Sequence, residues 1–176
     1  MITLIYAHPH PRRSRAGAAL LGAVADLPGL AVRSLYDLYP DFAIDAAAEQ
    51  AALSASRLVI WQHPVYWYGV PALLKLWFET VLTAGWAYEG GRALADKDCL
   101  WVCTTGAPFE AYAADHEHGH PFAAFEPAVR QTARYCGMHW LDPLVVHGAG
   151  RSAQADLAAA ARAYRTRLDA WRERHG

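Results

Sequence analysis

Leu58-Val59-Ile60-Trp61-Gln62-His63-Pro64-Val65-Tyr66-Trp67-Tyr68-Gly69-Val70-Pro71 passes from an unbroken apolar segment, through an aromatic turn, to a proline suited to open a helix. Leu58–Gln62 is apolar on successive residues rather than alternate ones, which marks a strand buried on both faces, as in a parallel sheet. His63-Pro64 closes that strand. Pro71 fits the first position of a helix that runs to about Leu82, because the amide it lacks would have had no partner there. Strand, loop and helix in that order form one β-α unit, and the rest of the chain repeats it.

Upstream, Ile2–Ala7 is a second apolar strand, halted by His8-Pro9-His10-Pro11. A helix starts near Ser14, carries Leu20, Leu21 and Val24, and stops at Pro28-Gly29. Ala31–Leu35 reads as a short strand, and Asp45 precedes an alanine-rich helix over Ala46–Ala55. Downstream, Leu100–Thr104 is a strand ending at Gly106, and Phe122–Tyr135 a helix stopped by Gly137. Trp140–Val146 is a fifth strand interrupted by Pro143. A final helix from about Ala153 to Arg174 places Leu157, Ala161, Tyr164, Leu168 and Trp171 on one stripe. Five strands alternating with five helices predict an α/β domain over 1–176, its parallel sheet covered on both faces. In such sheets ligands sit beyond the carboxyl ends of the strands.

The composition removes several function classes. The 176 residues carry 16 Lys+Arg against 17 Asp+Glu, a formal charge of −1, so the basic excess of a nucleic-acid protein is missing. Hydrophobic residues make up 54% and charged residues 19%, which excludes a disordered chain. No uncharged apolar run approaches the roughly 18 to 20 residues of a membrane span, and Met1–Tyr6 reads as strand rather than signal peptide. Three cysteines, an odd number, suggest a reducing, cytoplasmic setting. Cys99 and Cys103 on one strand would lie about 13 Å apart, beyond the roughly 7 Å that a disulfide tolerates.

Three strand-end loops carry the candidate chemistry. Arg12-Arg13-Ser14-Arg15-Ala16-Gly17 joins free amides, a hydroxyl and positive charge at a helix start, which suits a phosphate; a solvated basic turn is the plainer reading. Neither a G-x-G-x-x-G nor a G-x-x-x-x-G-K-[ST] fingerprint is present. Val65-Tyr66-Trp67-Tyr68-Gly69 displays three adjacent aromatics where a polar loop is normal, fitting a flat aromatic ligand or an oligomer contact. Thr104-Thr105-Gly106-Ala107 offers hydroxyls and amides for the polar edge of a heterocycle. Beyond it, Tyr112 and the alternating His116, His118 and His120 allow a solvated loop, a metal site, or acid/base and anion-stabilising work.

Taken in order, several segments resemble the flavodoxin-like NAD(P)H:quinone oxidoreductases, and within them the group ancillary to glutathione-regulated potassium-efflux systems. They are Tyr6-Ala7-His8-Pro9 with Ser14, Leu35–Phe42, Trp61–Pro64 with Trp67-Tyr68, Pro71–Trp77, Gly85–Tyr88 and Thr104–Gly106, and they span nearly the whole chain. The resemblance implies a three-layer sandwich with a five-stranded parallel sheet in the order 2-1-3-4-5. It implies FMN rather than FAD, since the long extension that surrounds an adenosine has no counterpart here, and NADH or NADPH as electron donor. His8, Ser14, Arg15, Ala16 and Gly17 would meet the flavin phosphate and ribityl chain, Val65, Tyr66, Trp67 and Tyr68 its ring face, and Thr104, Thr105, Gly106 and Ala107 its polar edge. Tyr112 and His118 would be the catalytic pair that stabilises charge on the ring. The family commonly has Asn at the position of Gly17 and a second Gly at that of Ala107.

The function so implied is two-electron reduction of quinones beside a potassium-efflux antiporter, in the cytoplasm or peripheral at the inner membrane through that partner. The alternative is a flavin-binding regulatory subunit whose redox activity is incidental. A one-electron flavodoxin carrier fits less well, because such carriers are acidic and have a Thr/Ser-rich phosphate loop. A homodimer is expected as well. Leu73, Leu74, Leu76, Trp77, Phe78, Val81 and Leu82 point in too many directions for one sheet-packing stripe, which predicts burial on two sides.

Overall fold

The computed structural model describes residues 1–175; Gly176, the last residue of the expected domain, lies outside the described residues. The strands are β1 (Ile2–Tyr6), β2 (Leu30–Ser34), β3 (Leu58–Pro64), β4 (Asp98–Thr104), β5 (His139–Trp140) and β6 (Leu144–Val146). The helices are α1 (Arg15–Val24), the single turn α2 (Leu35–Leu38), α3 (Ala46–Ser54), α4 (Ala72–Val81), α5 (Pro127–Tyr135) and α6 (Gln154–His175). The strand order is β2-β1-β3-β4-β5, with β6 also on β4, and every pairing is parallel. The expected order is therefore present, with a sixth strand added.

Alternate residues of the central strands feed two cores. Leu4, Tyr6, Leu58, Ile60, Leu100 and Val102 pack with Leu20 and Val24 of α1 and with Tyr164, Leu168 and Trp171 of α6. Ile5, Val59, Trp61, Cys99, Trp101 and Cys103 face the layer built from α3, α4 and α5. This period-two division is what a sheet buried on both faces requires. All three cysteines are buried and free.

Several boundaries differ from the sequence expectation, each for a local reason. The fifth strand is two pieces: Asp98 and Cys99 pair with β5, Val102 to Thr104 pair with β6, and Pro143, which has no amide to donate, lies in the gap. The helix expected over 122–135 starts only at Pro127; Phe122–Phe125 is a 3₁₀ turn, because Pro127 cannot donate back into a preceding helical turn. Gly137 ends α5 as expected, at φ +77, with Met138 N–H donating to Ala133 O (3.0 Å) and Gly137 N–H to Arg134 O (2.9 Å). Pro71 is the N-cap of α4 rather than its first helical residue, and Leu35 begins α2 instead of ending β2.

Within one chain, α4 is buried on one side. Leu73, Leu74, Trp77, Phe78 and Val81 form one stripe into the chain's own core, while Ala72, Lys75 and Glu79 are exposed and Leu76 is half-buried. Three- and four-residue spacings put those five side chains on one face despite the nearly continuous apolar run. A further anchor is Glu49 of α3, fully buried, which accepts from Arg33, from Tyr39 Oη (2.6 Å) and from Trp77 Nε1 (2.9 Å). That network ties β2, α3 and α4 together.

His63 lies inside the sheet, not in a loop. Its Nδ1–H donates to Pro64 O (2.9 Å), and its Nε2 accepts from Trp101 Nε1 (2.7 Å). Burial pushes its pKa down to about 4.

Candidate functional site

The carboxyl ends of β1, β3, β4 and β6 converge on two adjoining cavities that share Val65 and Gly106. The first, about 340 Å³, is lined by His8, Ser14, Arg15 and Ala16 from the first loop, by Tyr66, and by Thr104 and Thr105. The second, about 230 Å³, is lined by Trp67, Tyr68, Ala107, Tyr112 and His118. Gly17 lines neither. It is buried behind the first cavity, where its carbonyl accepts from Gln62 Nε2 (3.1 Å). A Cβ at position 17 would collide with Ser14 Oγ and come within 3.0 Å of Tyr6 Oη.

At the first cavity α1 presents its N-terminus. The first backbone bond to its cap runs from Ala18 N–H to Ser14 O (3.1 Å), which leaves the amides of Arg15, Ala16 and Gly17 without that partner. The Ser14 hydroxyl makes no capping bond either. A helix start with open amides, a hydroxyl not used in capping and the guanidinium groups of Arg13 and Arg15 is arranged to take an anion. His8 Nδ1 accepts from His10 N–H (3.0 Å), and burial lowers its pKa, so its ring is neutral beside that cradle.

The second cavity holds an aromatic set. Tyr112 and His118 stack with centroids 4.4 Å apart and planes 20° apart, and Tyr68 Oη lies 3.3 Å from His118 Nδ1. His118 Nε2 is buried and has no hydrogen-bond partner among the described residues. Leaving such an atom unpaired costs about 1–3 kcal/mol, so it marks where a ligand's polar atom fits. Burial raises the Tyr112 pKa, which keeps its phenol a donor. His116 and His120 are exposed and line neither cavity, and no three metal-binding side chains are grouped among the described residues.

The turn between these cavities is strained. Tyr66 and Gly69 exchange both backbone bonds (3.1 and 3.0 Å), so Trp67 and Tyr68 form a two-residue hairpin loop with φ of 48° and 63°. Positive φ at both central positions is the geometry that Asn-Gly normally supplies; bulky side chains there cost about 1–2 kcal/mol each. Trp67 recovers none of this by packing, since it is 93% exposed. Trp67→Asn should therefore raise stability by about 1 kcal/mol, read as a higher urea midpoint. It should also weaken FMN binding about tenfold if the indole serves as a stacking face. A lower midpoint, or unchanged quenching of FMN fluorescence on titration, would contradict this account.

The phosphate cradle, the aromatic turn and the orphaned imidazole nitrogen fit the phosphate, face and polar edge of FMN. Ala107 needs no second glycine: it is not among the residues at positive φ, and its carbonyl accepts from Thr105 Oγ1 (2.7 Å) and Gly148 N–H (2.8 Å). Sequence reasoning placed Arg13 in the phosphate segment but missed His10, Ala149 and Gly150 as lining residues. The run Gly148-Ala149-Gly150 after β6 was the available signal, since small residues let backbone approach a ligand.

The profile described as "Flavodoxin-like fold" matches residues 1–168. The glutathione-regulated potassium-efflux system ancillary protein KefF of Citrobacter koseri is 49% identical over the full length of both chains. Among solved structures, general stress protein 14 of Treponema denticola in complex with FMN superposes with a TM-score of 0.90 at 34% identity, covering 96% of this chain and 98% of that one. An NADPH-quinone reductase from P. pentosaceus gives a TM-score of 0.85 at 25% identity, covering 94% and 95%. The chain belongs to the flavodoxin-like family, with the KefF ancillary proteins among its close homologues.

Proposed function

We propose that this protein is an FMN-dependent NAD(P)H:quinone oxidoreductase, ancillary to a potassium-efflux antiporter. The observation that carries the reading is the pair of adjoining cavities, with an anion cradle at one end and Tyr112 beside the unpaired His118 Nε2 at the other. Bound FMN would supply two-electron hydride chemistry at its ring. The open amides of α1 with Ser14 and Arg15 hold the phosphate. Val65 to Tyr68 wall the ring and keep water from one side. Thr104 to Ala107, Tyr112 and His118 present donors where negative charge develops. The FMN complex of the Treponema denticola relative supports FMN over FAD, and the P. pentosaceus relative's name supports NAD(P)H and a quinone.

An apolar cavity of about 400 Å³ between α4 and α5, lined by Phe78, Leu82, Phe125, Val129 and Tyr135, reaches Tyr68 at the edge of the site. It supports a homodimer in which a second copy covers this face, on grounds separate from the stripe of α4. The KefF relatives support the antiporter as partner. No helix among the described residues is long and apolar enough to cross a membrane, and with three free thiols this supports a cytoplasmic position beside that partner.

Purified protein incubated with FMN should stay yellow through gel filtration, sediment at twice the chain mass, and oxidise NADH or NADPH faster when a quinone is added. A colourless protein, or a flavoprotein inert to both nucleotides with quinone present, would remove the oxidoreductase reading. The second of those outcomes would leave the regulatory flavin-binding subunit, which the KefF likeness favours.

A further inference from the structure

His147, just past β6, joins the loop after β4 to Tyr112, and neither the family likeness nor the sequence reading assigns it a role. The segments on either side are stitched together by backbone. Thr105 N–H donates to Val146 O (3.0 Å), Gly148 N–H to Ala107 O (2.8 Å), and Ala149 N–H to Thr105 O (2.8 Å). Within this double loop Thr105 Oγ1 spends its single proton on Ala107 O at 2.7 Å. The contact between Thr105 Oγ1 and His147 Nδ1 at 3.1 Å must then be donated by the imidazole. The same ring packs against Tyr112, Phe109 and Phe122, with centroids 5.5, 5.4 and 5.0 Å away. Burial lowers the His147 pKa, so the ring is neutral at pH 7 and its Nδ1–H tautomer is the one the contact requires.

We propose that His147 is a positioning residue: its Nδ1–H bond to Thr105 and its contact with Tyr112 hold the Thr105–Ala107 turn and Tyr112 in fixed relation, so that the turn and the Tyr112 phenol meet the polar edge of the flavin together. The proposal rests on the flavin reading above. A hydrogen bond that orients a donor matters most where the acceptor gains charge. The expected effect is therefore a tenfold loss in preference for reduced over oxidised FMN, which for a two-electron couple is about 30 mV.

The test measures the midpoint potential of bound FMN by dithionite titration in wild type, His147→Phe and His147→Asn. Phe keeps an aromatic ring and removes the bond, and its potential should fall by that amount. Asn carries an amide nitrogen able to replace Nδ1–H, and it should recover most of the fall. A Phe variant at the wild-type potential overturns the proposal, as does an Asn variant as low as Phe, which would make the effect one of packing. Wild-type apoprotein gives an independent readout: ¹⁵N NMR should show His147 as the neutral Nδ1–H tautomer, and an Nε2–H tautomer would overturn the donor assignment. None of these readouts uses NAD(P)H. A flavoprotein inert to nucleotide would thus count against the oxidoreductase reading while the potentials still decide the role of His147.

Discussion

His118→Ala and Tyr112→Phe are each expected to slow reduction of bound FMN by NAD(P)H about 10²–10³-fold, the usual loss for one preorganised donor at developing charge, with FMN affinity little changed. The two lie six positions apart in sequence, and the fold brings their rings into a stack at 4.4 Å. His118 Nδ1 lies beside Tyr68 Oη, which fixes the ring and leaves the buried Nε2 for an incoming polar atom. Tyr112 is only 9% exposed, so its hydroxyl needs little reorganisation during reaction. His116→Ala serves as the control, because that side chain is exposed and lines neither cavity. Stopped-flow traces at saturating FMN are the measurement. Wild-type rates in both variants would take Tyr112 and His118 out of the mechanism, and a slowed His116 variant would move the chemistry elsewhere on the loop.

Wild type is expected to lose about 3 kcal/mol of stability between pH 6.5 and pH 4 that His63→Gln does not lose. His63 is 2% exposed, and its Nε2 is already occupied by the Trp101 indole N–H, so the ring has no place for a second proton. Burial holds its folded pKa at about 4, against an ordinary value near 6.5 in the unfolded chain. The folded value is the lower one, so as pH falls the unfolded chain takes up the proton first. The contribution is complete above pH 6.5, shrinks as the pH falls, and is gone once pH 4 is passed. His8 and His147 are also lowered by burial, but both proteins carry them, so the difference isolates His63. Urea midpoints at intervals from pH 7.5 to 4.5 give the slope. Parallel curves for the two proteins would show that the fold tolerates a charged His63.

Local chemistry determined most of the architecture. The apolar runs Ile2–Ala7, Leu58–Gln62 and Leu100–Thr104 each became a central strand, because a segment apolar on successive residues is satisfied only when covered on both faces. Gly137 ended α5, and Asp45 capped α3 by accepting from Ala48 N–H (3.0 Å), as those residue types do wherever a helix needs them. The three strand-end loops were legible for a related reason: charge, aromatic rings and hydroxyls are out of place at the end of a buried strand unless something binds there. What sequence distance hides, only the tertiary structure decided. His63 looked like the start of a loop, yet it lies in the sheet because Trp101, on the neighbouring strand, supplies its partner. The apolar run of α4 suggested two buried sides, and packing within the chain uses one, since the angular spacing of a helix gathers Leu73, Leu74, Trp77, Phe78 and Val81 onto one face. His147 stands 42 residues from Thr105, and no local pattern announces their contact. Hydrogen bonds and ring contacts act over a few ångströms of space, and until β6 settles beside β4 the chain gives His147 no neighbour to recognise.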